Sequence, residues 1–438
     1  MSKSEDEPSD STATPSSNAA ENVESSPAGD SSGLGKQPVL KPLPYHVELR
    51  DWLKGEEPDL WHWFSRGERR VAEVEAQRFE LLKSTYRVDR KSQSRLYDAA
   101  DEVARKLGIG AEISIYQAQS PLGLNASLVY LPGEPHVVLH GPIGEQLGDS
   151  ELRGVLGHEF THFLLFEDWG GEFWTTRRIL ESWDAMASPH PAHVATLRLW
   201  RLYDEILCDR GAYHVTGDVN VAVSMLVKVL TGVREVNAEA YLRQADEIFA
   251  AGPTSSAGYD HPEAFIRARA LRMWAEVGDE SNGAIASMIE GQPQLDSLCL
   301  LEQRRLQVAT RRLIDRIFQY KWFQSDATLA HSRLYFPDYI SPSPGAKDSL
   351  ANALRVTPES VGDYFLFVLL DFVAADRDLD EPALAAALVI ADELDLKARF
   401  IELARRELKL RKTQLDRIDQ NREALLTQAT SSSEEAAK

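Results

Sequence analysis

The 438-residue chain predicts an α+β protein that is predominantly α-helical, with one small β-sheet and a C-terminal helical domain. Three observations carry that prediction. Apolar residues recur at helical spacing through most of the chain, strand-like alternation is confined to Glu112–Leu139, and Pro342, Pro344 and Gly345 interrupt two helical stretches. No repeat of fixed period is visible.

Residues 1–40 are rich in Ser, Asp, Glu, Pro and Ala and predict a disordered acidic tail, since they hold too little apolar surface to offset chain entropy. An N-terminal helical segment follows at 41–91. Its aromatic cluster of Trp52, Leu53, Leu60, Trp61, Trp63 and Phe64 is expected to pack, ahead of a charged helix from Gly67 to Lys83. A domain at 92–290 starts with a helix over Lys91–Leu107, where Leu96, Ala99, Ala100, Val103 and Leu107 share a face. Glu112–Gln117 then alternates as a strand. Ser127–Leu131 and His136–Leu139, joined by Pro-Gly-Glu-Pro, predict a hairpin.

The stretch from Asp149 to Phe166, DSELRGVLGHEFTHFLLF, predicts a helix. Asp149 and Ser150 offer capping oxygens, Glu151 suits the positive helix end, and Leu152, Val155, Leu156 and Phe163 form the apolar stripe. Gly170 and Gly171 are expected to end it. Further helices are read over Glu172–Ala187, Ala192–His214 and Asp218–Leu230. Beyond Gly291 the chain reads as a helical connector at 291–345, a helical domain at 346–415 and a helical to frayed tail at 416–438.

The formal net charge is −20 and the isoelectric point about 5.1, which excludes roles resting on nonspecific attraction to nucleic acid or anionic lipid. The two cysteines, Cys208 and Cys299, make no disulfide framework and fit a reducing compartment. With no signal peptide visible and Tyr364–Leu370 too short to span a bilayer, a cytoplasmic location without membrane spans is expected.

The chemistry lies in that Asp149–Phe166 helix. His158 and His162, four residues apart, stand on one helix face and can reach a single zinc ion, while Glu159 is placed to take a proton from zinc-activated water. Catalytic zinc takes a third protein ligand, and two glutamates compete. Glu181 lies at a separation used by zinc aminopeptidases. Glu205 carries Asp209 one helical turn away, able to accept a hydrogen bond from a ligand imidazole and fix its tautomer, which favours Glu205; Asp184 near Glu181 leaves the local comparison open.

The chain here resembles the gluzincin family of zinc metallopeptidases that includes the CAAX prenyl protease and the heat-shock protease HtpX. The resemblance rests on LNASLVYLPG with Asn125-Ala126, SELRGVLGHEFTH, EILCDRGA, and His261-Pro262 followed by Arg267, over roughly 92–276. It implies one zinc ion per chain held by His158, His162 and Glu205, with Glu159 as general base and Asp209 supporting a ligand. Asn125 and Ala126 would belong to a strand that aligns substrate, and His261 and Arg267 would shape the cleft or stabilise the oxyanion. Asp260 stands where the family usually has a small hydroxyl residue. Members are often membrane-embedded, whereas this chain shows no spans, so prenylated substrates within a bilayer are not implied. Cys208 is expected to face away from Glu205 as a small buried residue, and His136, His140, His190, His193 and His214 lack metal spacing.

Residues 346–415 also resemble the TerB-type helical domain, with an acidic turn at Asp376, Asp378 and Asp380. An EF-hand fails because Glu381 occupies the glycine position and Ala387 the bidentate glutamate position. Helix capping by Asp380 competes with metal binding at this turn. The chain is thus expected to be a zinc endopeptidase acting on peptide or protein substrates, with a protein partner accommodated by the C-terminal helices. The alternative is a nonenzymatic adaptor that retains zinc for stability.

Overall fold

The computed structural model describes residues 40–66, 68–119, 123–340 and 359–436. The acidic tail through residue 39 and the linker at Pro342, Pro344 and Gly345 lie outside these residues.

Helices α1 (Pro44–Glu56), α2 (Pro58–Ser65) and α3 (Glu68–Ser84) precede a short strand, β1 (Thr85–Arg87). Then come α4 (Ser94–Leu107), β2 (Ser114–Ala118), β3 (Asn125–Leu131), β4 (Glu134–His140) and the single turn α5 (Ile143–Gln146). The sheet order is β1-β2-β4-β3, with β2 parallel to β4 and the other pairs antiparallel. The expected hairpin forms between β3 and β4, turning where Gly133 takes a φ of 77°. β1 was not legible in the sequence, because three mostly exposed residues carry no alternation to read.

The sheet is apolar on both faces of its centre. Ile115, Val137 and Leu139 face one core, while Tyr116 and Val138 meet Leu81 of α3 on the other side, as the period-2 pleat requires. β3 is an edge strand, so one row of its backbone groups is left unpaired by the sheet.

Helix α6 (Asp149–Glu167) carries the two histidines and is buried on nearly every side, from Leu152 through Phe166. Its N-terminus differs from expectation. The N–H of Gly148 donates to Glu151 Oε2 at 3.0 Å, while Asp149 instead pairs with Arg95 at 2.7 Å, so the first turn is capped from within by Glu151. The helix ends at Glu167, followed by Gly170 and Gly171 in left-handed backbone.

Helices α7 (Glu172–Asp184), α8 (Pro191–Thr216), α9 (Val219–Thr231), α10 (Ala238–Ala250), α11 (Ala264–Val277) and α12 (Asn282–Glu290) follow; α7, α8 and α9 pack on α6, and α11 and α12 pack on α8. The α6–α8 pair is the most extensive contact, and it is made through glycine. A Cβ on Gly211 of α8 would lie 1.7 Å from Thr161 Oγ1, and one on Gly157 of α6 would lie 2.4 Å from Val215 Cγ2. The two backbones therefore approach as closely as they can immediately beside His158.

Two hydrophobic cores flank this crossing. One gathers Leu49 and Leu53 of α1, Ile179 and Leu180 of α7, and Trp200 of α8; the other joins Val155 and Phe160 of α6 to the sheet, α4 and α9. A third core involves α13 (Leu300–Ile317) and the later helices α14 (Asp326–Tyr335), α15 (Glu359–Ala375), α16 (Asp380–Glu393), α17 (Lys397–Glu407), α18 (Lys412–Gln420) and α19 (Arg422–Ala436). Leu301 at the start of α13 belongs to the first core, and Leu313, Ile314 and Ile317 to the third. At the acidic turn, Asp376 Oδ1 accepts the Asp378 N–H at 3.0 Å, so the capping residue is Asp376, and Asp380 opens α16 with a φ of 38°. Among the described residues, no helix is long and apolar enough to cross a membrane.

Candidate metal centre

A cleft of about 800 Å³ opens between the edge strand β3, the middle of α6 and α8, and the C-terminal half of α9. Gly123 to Leu128 line one wall, so Asn125 and Ala126 border it directly, and His158, Glu159 and His162 form its floor. Met225, Leu226, Val229 and Leu230 make an apolar wall.

Glu205 meets both histidines on the floor. Its Oε2 lies 3.5 Å from His158 Nε2 and its Oε1 lies 3.7 Å from His162 Nε2. Each histidine thus faces a different oxygen of the carboxylate, at a separation close to that between two ligands of one ion with bonds of about 2.0–2.2 Å. The opposite ring nitrogens are both engaged by α8: His158 Nδ1 with Asp209 Oδ1 at 3.2 Å, and His162 Nδ1 with Asp204 Oδ1 at 3.1 Å. With Nδ1 protonated and donating, each imidazole keeps its Nε2 lone pair towards Glu205, which is the form a divalent cation needs.

Arg267 of α11 ties the carboxylates together. It reaches Asp209 at 2.8 and 2.6 Å and Glu205 at 3.0 Å, with all three side chains buried. His261 Nδ1 lies 3.1 Å from Glu205 Oε1 from the more exposed side of the cleft. Burial alone would raise the Glu205 carboxyl, but the charge of Arg267 and the hydrogen bond from His261 hold it well below the usual carboxylate range. Asp209 is likewise held low against burial by Arg267 and His158. Burial would lower His162, yet the charge and hydrogen bond of Asp204, aided by Glu159 and Glu205, push it up to about 9. The field that favours a proton there also favours a metal cation. Glu159 is buried on the cleft floor, 6% exposed.

Among the described residues, the group whose ligand atoms all lie within 4.8 Å of one another is His158, His162 and Cys208, without Glu205. The position of the thiol argues against it as a ligand, because Cys208 does not line the cleft. Its Sγ points to Asp204 Oδ1 at 3.8 Å, the oxygen that receives His162 Nδ1, so it sits behind the imidazoles rather than on the cleft side. Glu205 is thus the carboxylate that faces both histidines from within the cleft lining.

The competing Glu181 carboxylate pairs with Arg177 on its own helix at 2.8 Å and does not line the cleft. Asp260 pairs with Arg201 at 2.8 Å. Of the histidines without metal spacing, His136 meets Glu134 at 3.1 Å, His140 meets Ser127 at 3.2 Å, His190 caps α8 and His193 stacks on Trp183. Asp204, Arg177, Arg201 and the α9 wall were not singled out from sequence. The one available signal for Asp204 was its place beside Glu205, one turn before Cys208, on a helix already suspected of facing the histidines.

The chain is 28% identical over 215 residues to the plastoglobule-localized metallopeptidase 48, chloroplastic, of Arabidopsis thaliana. That relative is a metallopeptidase. The match covers 45% of this chain and spans about three-fifths, 61%, of the relative. No family model and no solved structure matches the chain.

Proposed function

We propose that the protein is a zinc-dependent peptidase of gluzincin type, cutting within polypeptides. The observation that carries the reading is the meeting of Glu205 with the Nε2 atoms of His158 and His162, at 3.5 and 3.7 Å, on the floor of a cleft bordered by a free strand edge. The similarity to a metallopeptidase supports it. His158, His162 and Glu205 would hold the metal. A zinc ion there would supply Lewis acidity towards the peptide carbonyl and the attacking water.

The remaining work falls to the chain. The Glu159 carboxylate accepts the proton that the water loses as its oxygen bonds to the carbonyl carbon, and passes it to the departing amine nitrogen when the C–N bond breaks. Arg267 and His261 keep Glu205 ionised and fixed in direction. The unpaired edge of β3 aligns an extended substrate by main-chain hydrogen bonding across the cleft.

The test is Glu159→Gln, an isosteric change that removes the proton acceptor and leaves the donors alone. Casein hydrolysis should fall by about 10²–10⁴-fold while metal content stays at the wild-type level. Full proteolysis by this variant would defeat the mechanism. A wild-type chain that binds zinc but gives no chelator-sensitive turnover would instead be an adaptor with a retained zinc site.

A further inference from the structure

Each of the two histidines is backed in the same way. His158 Nδ1 meets Asp209, and Asp209 meets Arg267; His162 Nδ1 meets Asp204, and Arg177 Nη1 lies 3.8 Å from Asp204 Oδ2. Both aspartates come from α8, one residue before Glu205 and four residues after it. Asp209 belongs to the set anticipated from the sequence, whereas Asp204 does not.

We propose that Asp204 is a positioning residue for His162, taking its Nδ1–H so that Nε2 is the nitrogen presented to the metal, with Arg177 holding the carboxylate from behind. This rests on the zinc reading given above. Asp204 is 3% exposed, and its Oδ1 is shared by His162 Nδ1 at 3.1 Å and by Cys208 Sγ at 3.8 Å. A neutral imidazole carries one N–H and can place it on either nitrogen; a fixed acceptor at Nδ1 removes that choice and locks the ring plane. Losing such an acceptor typically weakens metal binding by about 10–100-fold.

The relay differs from the one behind His158 in a way that matters. Arg267 grips Asp209 with two nitrogens at 2.8 and 2.6 Å and is buried, whereas Arg177 spends its Nε on Glu181, stands farther from Asp204 and is 31% exposed in the cleft wall. Asp204 is therefore steadied mainly by His162 itself, and its acceptor oxygen at Nδ1 is what fixes the direction of the ring.

Full-length wild type, Asp204→Ala and Asp204→Asn are titrated with Co²⁺, following the visible absorption of the bound ion and competing it with a chelator. Wild type should bind one ion per chain. Asp204→Ala, which removes the acceptor, should bind about 10–100-fold more weakly with a shifted spectrum. Asp204→Asn, which keeps an acceptor oxygen, should recover most of both. Equal affinity and an identical spectrum in Asp204→Ala would overturn the role of Asp204 alone, and a wild type that takes up no Co²⁺ would overturn the metal centre itself. Should the alanine variant fail to fold, nitrogen-15 histidine spectra of zinc-loaded wild type decide the matter: a protonated Nδ1 and unprotonated Nε2 on His162 support the assignment, and the reverse pattern overturns it.

Discussion

The helices around the cleft and the helices of the third core bury similar apolar side chains, but they differ in what else they bury. Around the cleft, His158, Glu159, Asp204, Glu205, Asp209 and Arg267 are all less than 9% exposed. Among the described residues of the third core, the buried charges are Asp315, which accepts from Tyr339 at 2.6 Å, and Arg316, which pairs with Glu393 at the rim. Burying an ion costs several kcal/mol unless it is paired and hydrogen-bonded, so a dense buried set marks where chemistry is being kept at the expense of stability. The cleft half is thus stable only as a complete network, while the C-terminal half is stable by shape.

The sharpest way to break that comparison is to remove the cation that serves two carboxylates. Arg267→Met should cost about 3–5 kcal/mol, because Asp209 and Glu205 would remain buried without their partner. Denaturant unfolding with metal stoichiometry in parallel measures it, and wild-type stability in both would show that the carboxylates are not held by this arginine. A cavity in the third core should act differently. Leu388→Ala, at a fully buried position of α16, should cost about 2–5 kcal/mol while the folded protein keeps its metal content and turnover per folded chain. Loss of specific activity there would mean that the two halves are coupled rather than distinct.

The smallest effect concerns acid. His46 on α1 is fully buried against Trp200, and burial lowers it from 6.5 to about 4; the charge of Asp204 opposes the shift, while Arg210 and His162 reinforce it. Because the folded value is depressed, the unfolded chain takes up this proton first. Its contribution is fully present above the unfolded pKa of about 6.5 and is lost as pH falls from there towards about 4, by at most roughly 3 kcal/mol. Denaturation midpoints of wild type and His46→Gln across this window should converge as pH drops. Parallel curves would show that another group governs the acid limb.

Much of this architecture is legible in the sequence, for physical reasons specific to each stretch. The His158/His162 spacing is local to one helix, so the helical repeat alone puts both rings on a shared face. The β3–β4 hairpin was readable because a Pro-Gly turn sits between alternating runs. The third ligand proposed for the metal was readable only as a choice between Glu181 and Glu205, since either helix could have faced the histidines. Asp204 and Arg177 stayed hidden because their partners lie on other elements, and the angle and separation at which α6 meets α8 leave no periodic mark in either helix. The cap of α6 was misassigned because Glu151 could serve either the helix end or a neighbour, and it does both: it accepts from Gly148 and also pairs with Lys228 of α9 at 2.7 Å.

The crossing at Gly157 and Gly211 gives the centre a property of its own. Side chains elsewhere are adjustable spacers, but two absent methyl groups form a gauge with no slack, because Thr161 and Val215 already fill the volume that any Cβ would claim. Backbone contact therefore sets how far the imidazoles of α6 stand from the carboxylates of α8. On the reading proposed above, the fit of α6 against α8 is what would bring His158, His162 and Glu205 to the separation a zinc ion asks of its ligands.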